Sequence, residues 1–144
     1  MRKIFFLWGA VVIVFFLQSF VPRAVEKVRF RQYNWTDIGR SARSQNKMIF
    51  VLVTGDYCPT SNRMKRVFTD KRVAQFYNKN FVSTNFDAEN FIQNYRVSNW
   101  GVSAVPAMVF LDKNRNVIHK AEGLFDAQGM IREAEIALEI KQNK

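Results

Sequence analysis

The pattern of apolar and polar positions predicts a domain in which strands and helices alternate. Residues 48–53 form an unbroken apolar run, MIFVLV, which is typical of a central strand covered on both faces. Further strands are predicted at residues 81–86 and 107–111, and residues 117–121 form an antiparallel hairpin with the last of these. The first two strands are joined by a long helical connection, which implies a parallel, right-handed crossover.

Apolar residues spaced three and four apart predict amphipathic helices between these strands. Their first turns are marked by capping residues or by a proline, namely Asn34 or Thr36, Pro59, Asp70 and Asp126. A further helix is expected within residues 87–95, with three apolar side chains buried: Phe91, Ile92 and Tyr95. Upstream, alternation predicts a short edge strand through Val28, Phe30 and Gln32.

The N-terminal part of the chain differs from the rest in having a long apolar run. Residues 4–17 contain no polar side chain, and the run continues to Val21, interrupted by Gln18 and Ser19. As a helix, these 18 residues would reach about 27 Å, enough to cross a bilayer core. We interpret residues 1–22 as a membrane anchor or signal peptide, and the lack of a small-x-small cleavage site favours an uncleaved anchor.

A basic connector, residues 23–33, then leads to the folded domain at residues 34–144. More basic residues follow the apolar run than precede it, which favours a cytosolic domain. The short basic head on a strongly apolar run instead resembles an export signal. We expect an anchored domain in the periplasm or another exported compartment, and the alternatives are secretion after cleavage and a cytosolic orientation.

The basic excess belongs mainly to the domain. The whole chain carries a net charge of +10, and residues 1–21 contribute only Arg2 and Lys3 to it. Such a surface can attract acidic partners, phospholipid headgroups or nucleic acid. No RNA-binding aromatic signature or zinc-finger spacing accompanies the charge, so we expect a solvated or lipid-facing surface and no nucleic-acid partner.

Cysteine and histidine counts restrict the chemistry further. Cys58 is the single cysteine and His119 the single histidine, which excludes an intrachain disulfide and a Cys-rich metal site. We expect no metal and no cofactor, since no cofactor motif occurs in the chain. His119 is expected to be an exposed, structural residue.

The candidate chemistry lies in residues 56–61, DYCPTS, between the buried strand and its following helix. A cysteine at a helix N-terminus meets unpaired N–H groups and the positive end of the helix dipole, which favour the thiolate. Lys65 and Arg66 can add to this effect. The Ser61 hydroxyl can hydrogen-bond a Cys58 thiolate or cap the helix, but it cannot attack a mixed disulfide and release the partner.

These residues resemble the thioredoxin superfamily over about residues 35–140. The motif x-x-W/Y-C-x-x-C/S-x-x-M, a phenylalanine and an aspartate-rich turn correspond to Tyr57, Cys58, Ser61, Met64, Phe68 and Asp70. Residues 80–87 are similar to the second strand of this branch, and residues 100–112 to its segment ending V-P-T-x-x-F-L-D. The resemblance implies an α/β, thioredoxin-like fold with a central mixed sheet flanked by helices, here preceded by an N-terminal hydrophobic helix.

The resemblance also implies roles for individual residues. Pro106 would be the cis-proline that faces the active-site cysteine, leaving the backbone of Val105 free to pair with an extended client peptide. Tyr57 and Pro59 would complete the client-binding surface, with Cys58 and Ser61 as the catalytic pair. Residues 58–68 further resemble anterior-gradient-type members of the protein disulfide isomerase family, which share the Cys-Pro-x-Ser arrangement.

Three positions depart from the enzymatic pattern of the superfamily. Ser61 replaces the resolving cysteine, Tyr57 replaces the commoner tryptophan, and Ala107 replaces the threonine that usually follows the proline. We therefore expect at most a monothiol protein that forms mixed disulfides with a cysteine-containing client or redox partner. The alternatives are a non-catalytic peptide- or partner-binding module and a membrane-proximal subunit that binds an acidic partner through its charge.

Overall fold

The structure, a computed structural model, describes residues 26–32 and 34–143 of the chain. The predicted anchor or signal peptide at residues 1–22 lies outside the described residues. Among the helices that are described, none combines the length and apolar character needed to cross a membrane.

Five α-helices and four β-strands make up the described part of the chain. In chain order they are α1 (Trp35–Ser44), β1 (Met48–Thr54), α2 (Pro59–Val67), α3 (Lys71–Asn80), β2 (Phe81–Asp87), α4 (Phe91–Asn99), β3 (Ala107–Leu111), β4 (Val117–Glu122) and α5 (Ala127–Gln142). Side chains at four helix starts accept hydrogen bonds from first-turn N–H groups: Asn34, Asp70, Asn90 and Asp126. The predicted caps at Asn34, Asp70 and Asp126 are thereby confirmed.

The four strands form one mixed sheet in the order β2-β1-β3-β4. β1 and β2 are parallel, whereas β3 is antiparallel to both β1 and β4. The β3–β4 turn is organised by Asp112, whose carboxylate accepts hydrogen bonds from the backbone N–H groups of Asn114 and Asn116. The predicted parallel crossover, the hairpin and the thioredoxin-like fold are confirmed.

Two apolar layers cover the two faces of the sheet. Because alternate strand residues point to opposite faces, Met48, Phe50 and Leu52 contribute to one layer, and Ile49, Val51 and Val53 contribute to the other. Helices α2, α3 and α5 complete the first layer, and α1 and α4 complete the second. The carboxyl end of β1 is thus held between these layers, and the loop that follows it, together with the loop before β3, carries the candidate site.

The prediction that Phe91, Ile92 and Tyr95 are buried is wrong. Their exposed fractions are 88%, 69% and 72%, and α4 instead packs inward through Val97. Val97 lies on the opposite side of the helix, so α4 has apolar residues on two faces. Periodicity alone does not distinguish which of two apolar faces meets the sheet.

Two smaller expectations are also corrected. The predicted edge strand near Val28 is reduced to one isolated parallel bridge, Phe30 with Ser83, although Val28 itself is buried in the core. His119 is half-buried rather than exposed, because its Nε2 lies 2.6 Å from Glu133 Oε2 and its ring stacks on Phe110. The tertiary packing of α5 against β4 creates this pair.

Candidate active site

Cys58 sits where the central strand turns into helix α2. It is the N-cap residue of α2, and Pro59 follows in the first helical turn, where its missing N–H breaks no helical hydrogen bond. The Cys58 N–H donates to the Gly55 carbonyl at 3.3 Å, which closes the turn after β1. The predicted position of the cysteine at a helix N-terminus is confirmed.

Two hydroxyl groups surround the sulfur atom. Thr60 Oγ1 lies 2.9 Å from Cys58 Sγ. Ser61 is fully buried, and its Oγ accepts a hydrogen bond from the Gly55 N–H at 3.3 Å, which leaves its O–H to donate. Ser61 is therefore part of the thiol site, and it does not act as the helix cap.

These hydroxyls change the acidity of the thiol. Hydrogen bonds from the Ser61 side chain, and next from Thr60, lower the pKa of Cys58 from 9.0 to about 7. At pH 7 the thiolate fraction is consequently about one half, compared with about 1% at the ordinary value. Neither Lys65 nor Arg66 contributes to the shift, in contrast to the sequence-based expectation.

The loop before β3 brings a second segment to the sulfur. The Val105–Pro106 peptide bond is cis, as the family resemblance implies. Cys58 Sγ lies 3.8 Å from the Val105 carbonyl oxygen, and Pro106 is buried. Within residues 26–32 and 34–143, the Val105 N–H donates no hydrogen bond.

Gly55 is the point where three loops meet around the site. A Cβ atom there would lie 3.3 Å from Glu89 Oε1, 3.5 Å from Val105 Cγ2 and 3.6 Å from Cys58 Cβ. Such a Cβ atom would make ordinary van der Waals contacts with Val105 and Cys58, and only the Glu89 carboxylate would have to move slightly. The thiol loop, the proline loop and the loop after β2 thus lie close together at Gly55.

The surface around the thiol is open and partly apolar. Tyr57 is 90% exposed, Pro59 is exposed, and Cys58 itself is partly exposed. The structure thus gathers all six site residues predicted from the sequence around one sulfur atom. Thr60 was not predicted to be a site residue, although a hydroxyl residue two positions after an N-cap cysteine can reach its sulfur.

No group of three His, Cys, Asp or Glu side chains in the described residues is arranged to hold a metal ion.

A cysteine at the start of the helix after a central strand, opposite a cis-proline, defines a thioredoxin-fold thiol site. A sequence model of the thioredoxin-like family matches residues 31–113, and the chain belongs to this family. No curated protein matches the chain significantly.

Solved structures with this fold align over most of the described chain. A proposed disulphide-isomerase from Bacteroides thetaiotaomicron is 24% identical, with a TM-score of 0.72 over 80% of this chain and 96% of that one. The DsbH oxidoreductase is 17% identical, with a TM-score of 0.64 over 85% and 92% of the two chains. A thioredoxin from Thermus thermophilus is 19% identical, with a TM-score of 0.61 over 81% and 87%. These similarities show the fold.

Proposed function

We propose that this protein is a monothiol exchange protein that forms mixed disulfides between Cys58 and cysteine-containing clients. The observation that carries the proposal is the partly exposed Cys58 sulfur at the N-terminus of α2, with Thr60 Oγ1 at 2.9 Å and the Val105 carbonyl oxygen at 3.8 Å. The neighbouring hydroxyls lower the pKa of Cys58 to about 7. A thiol whose pKa lies near the ambient pH combines a large thiolate fraction with strong nucleophilicity. A buried, inert cysteine would have neither property.

The exchange reaction begins with attack of the Cys58 thiolate on a client disulfide. The client S–S bond breaks, a bond forms between Cys58 and one client sulfur, and the other client sulfur leaves as a thiolate. If a different client thiolate then attacks the client sulfur of the mixed disulfide, the Cys58 thiolate leaves and a new client disulfide forms, so the client is rearranged without net oxidation or reduction. If two external thiols resolve the mixed disulfide instead, the client is reduced and the two external thiols become a disulfide.

The resolving thiol must come from outside the domain. Ser61 occupies the position of a resolving cysteine, and its hydroxyl cannot displace a sulfur from Cys58. The resolving partner is therefore a further cysteine of the client, outside the disulfide first attacked, a low-molecular-weight thiol of the glutathione class or a separate redox protein.

Client binding would use the backbone beside the cis-proline. The Val105 N–H is without a hydrogen bond in the described residues, so it can pair with an extended peptide in the manner of an added strand. Tyr57 and Pro59 would contact the client residues next to its cysteine. Pro106 would form the floor of the peptide-binding groove, which lies between Cys58 and the Val105–Pro106 segment.

The same proposal includes the location of the protein. Residues 1–22 would anchor the chain in a membrane, with the connector at 23–33 and the domain at 34–144 in the periplasm or another exported compartment. The observation that supports this placement is the apolar run at residues 4–17. Mixed-disulfide chemistry with clients would also suit a compartment where disulfides persist. The alternatives remain secretion after cleavage and a cytosolic orientation.

A second candidate function is peptide binding without exchange. It is favoured by the unpaired Val105 N–H together with the fully buried Ser61, which fills the second cysteine position without any capacity for redox chemistry. In that case the groove, and not the sulfur, would be the functional element.

Thiol trapping in the native cell tests the proposal. Cells producing wild-type protein, Cys58→Ala or Cys58→Ser are quenched with acid and alkylated, and the protein is followed on a non-reducing gel. We expect reductant-sensitive bands of higher mass in the wild type, and none in either variant.

A monomer band alone in the wild type, with Cys58 alkylated normally, would contradict thiol exchange and favour the binding module. Comparison of the two variants provides the control, because serine keeps the size and hydrogen bonding of the side chain. A phenotype lost in both variants assigns the function to the sulfur, and a phenotype kept in both assigns it to the groove.

A further inference from the structure

Basic side chains concentrate at the end of the sheet opposite Cys58. β1 and β2 begin there, and the β3–β4 turn lies there as well. β1 spans seven residues, a rise of about 20 Å, so this end is well separated from the thiol. We call it the basic end and define it by seven side chains: Lys27, Arg29, Arg31, Arg43, Lys47, Lys79 and Lys113.

Hydrogen bonds hold the connector against the start of the sheet at this end. Asn78 accepts a hydrogen bond from the Arg29 N–H and donates one to the Lys27 carbonyl. Lys47 Nζ donates to the Asn78 carbonyl at 2.7 Å. Arg29, Arg31 and Lys47 also line one small cavity of about 50 Å³.

The hairpin turn continues the same surface. Arg43 Nη1 donates to the Lys113 carbonyl at 3.4 Å, and Lys113 Nζ lies 3.5 Å from Asn46 Oδ1. Lys79 is exposed in the last turn of α3, immediately before β2 begins. Residues distant in the sequence therefore form one continuous basic surface.

Few carboxylates neutralise this surface. Six of the seven side chains make no ion pair within residues 26–32 and 34–143, where the basic residues Arg40, Arg72, His119 and Lys120 do so. These six are Lys27, Arg29, Arg43, Lys47, Lys79 and Lys113. Asp112 lies in the turn, but its oxygens accept hydrogen bonds from the turn itself. Glu26 lies within the connector, and Glu139 lies in the last turn of α5. The opposite end, by contrast, carries Asp56, Asp87, Glu89 and Glu122 in or beside the loops that follow the strands.

The apolar run is joined to the basic end by only a short stretch of chain. Four residues, 22–25, separate Val21, the last residue of the apolar run, from Glu26. A fully extended chain of this length spans at most about 18 Å. If the run lies in a bilayer, as the proposed function states, Glu26, where the connector joins the basic end, lies within that distance of the end of the run.

We propose that the basic end docks on anionic phospholipid headgroups and that Cys58 consequently faces away from the bilayer. The proposal rests on the membrane anchoring in the proposed function, but not on thiol exchange. Clustered Lys and Arg next to a membrane segment are attracted by anionic lipids. Docking would hold the groove beside Cys58 toward soluble clients.

Lipid-headgroup proximity in reconstituted vesicles tests this orientation. The full chain carries a fluorophore at Asn114→Cys, a turn residue of the basic end, in a Cys58→Ser background. It is reconstituted into phosphatidylcholine vesicles with or without phosphatidylglycerol, and a headgroup-attached quencher reports proximity. We expect quenching to increase about twofold or more when phosphatidylglycerol is present.

Salt and charge reversal provide the matched controls. Raising NaCl from about 0.1 to about 1 M shortens the Debye length from about 10 Å to about 3 Å and should abolish the increase without any mutation. The triple variant Arg29→Glu, Lys79→Glu and Lys113→Glu should lose it as well. Reversal of three exposed residues of α2, Arg63, Lys65 and Arg66, changes the net charge equally and should leave it intact.

Equal quenching with and without phosphatidylglycerol would overturn the proposal. An acidic protein would then be the expected partner of the basic end. Equal loss in the two triple variants would also overturn it, since net charge and not the basic end would then be responsible. Flotation with neutral vesicles in high salt tests the anchor separately. A chain that fails to float refutes the anchor, whereas the phosphatidylglycerol-dependent quenching still decides whether the basic end binds lipid.

Discussion

At the Cys58 end of the sheet, two hydroxyl groups and one backbone carbonyl surround a single sulfur atom, whereas at the basic end seven cationic side chains spread over separate segments. The first arrangement depends on individual distances, such as the 2.9 Å between Cys58 Sγ and Thr60 Oγ1. The second depends on the number of charges, most of which make no ion pair in the described residues. A single substitution should therefore alter the first end strongly and the second end weakly.

The two ends should also act independently of each other. They are separated by about the length of β1, roughly 20 Å, and the Debye length in physiological salt is about 8 Å. The charges of the basic end are consequently screened before they reach the thiol. The proposed lipid-binding surface and the proposed reactive cysteine would thus occupy one domain without one altering the other.

The largest effect is expected from Ser61→Cys at the Cys58 end. The new thiol would attack the mixed disulfide within the same molecule, at a far higher effective concentration than any external thiol. Client adducts trapped in cells should therefore fall about tenfold. Non-reducing gels after alkylation measure this. Ser98→Cys, on the exposed side of α4, is the control and should leave the adducts in place. Undiminished adducts in Ser61→Cys would show that position 61 does not face the sulfur.

Removal of both hydroxyls, in Thr60→Val combined with Ser61→Ala, should have the next largest effect. These groups lower the pKa of Cys58 to about 7, so their loss should raise the midpoint of its alkylation toward 9.0. The backbone N–H groups of Thr60 and Ser61 also lower the pKa and remain in the variant. At pH 7 the thiolate fraction falls, but each thiolate becomes more nucleophilic, and the alkylation rate should drop by up to about sixfold. Ser103→Ala, which removes a hydroxyl bonded to Glu122 at the same end, should leave the midpoint unchanged. An unchanged midpoint in the double variant would contradict the assignment.

A smaller effect is expected from Asn78→Ala, which loosens the connector at the basic end. The variant loses the hydrogen bonds to the Arg29 N–H and the Lys27 carbonyl. The free energy of unfolding should fall by about 1 kcal/mol, or fivefold in the unfolding constant. Denaturant unfolding of the detergent-solubilised chain measures this. Gln75→Ala, an exposed position of the same helix, should change it by less than about 0.5 kcal/mol. Equal losses in both variants would show that the connector is not held by Asn78.

The smallest effect concerns the influence of one end on the other. Reversal of Arg29, Lys79 and Lys113 to glutamate should change the alkylation rate of Cys58 by less than about twofold, because screening separates the ends. The rate is measured on the same reconstituted protein as the lipid contact. A displacement of the alkylation midpoint by about one pH unit would mean that the two ends are electrostatically coupled.

Most of the architecture could be predicted from local sequence patterns. The apolar run of β1, the cap at Asp70 and the turn formers after β3 each act within a few residues, and each prediction is confirmed. The buried face of α4 could not be predicted in this way, since two apolar faces compete for the sheet. The cis-proline was expected from the family resemblance, and the structure contains it at Pro106.

By itself, the sequence determined that one cysteine begins a helix after a central strand, that no second cysteine can resolve its adducts, and that the domain is strongly basic. Only the tertiary structure decided that Ser61 is buried beside Gly55 and that the Val105 carbonyl, 47 residues from Cys58, reaches its sulfur. It also decided that the basic residues collect at the opposite end. Local patterns determine where helices and strands form, whereas contacts between distant segments depend on how those elements pack around the sheet.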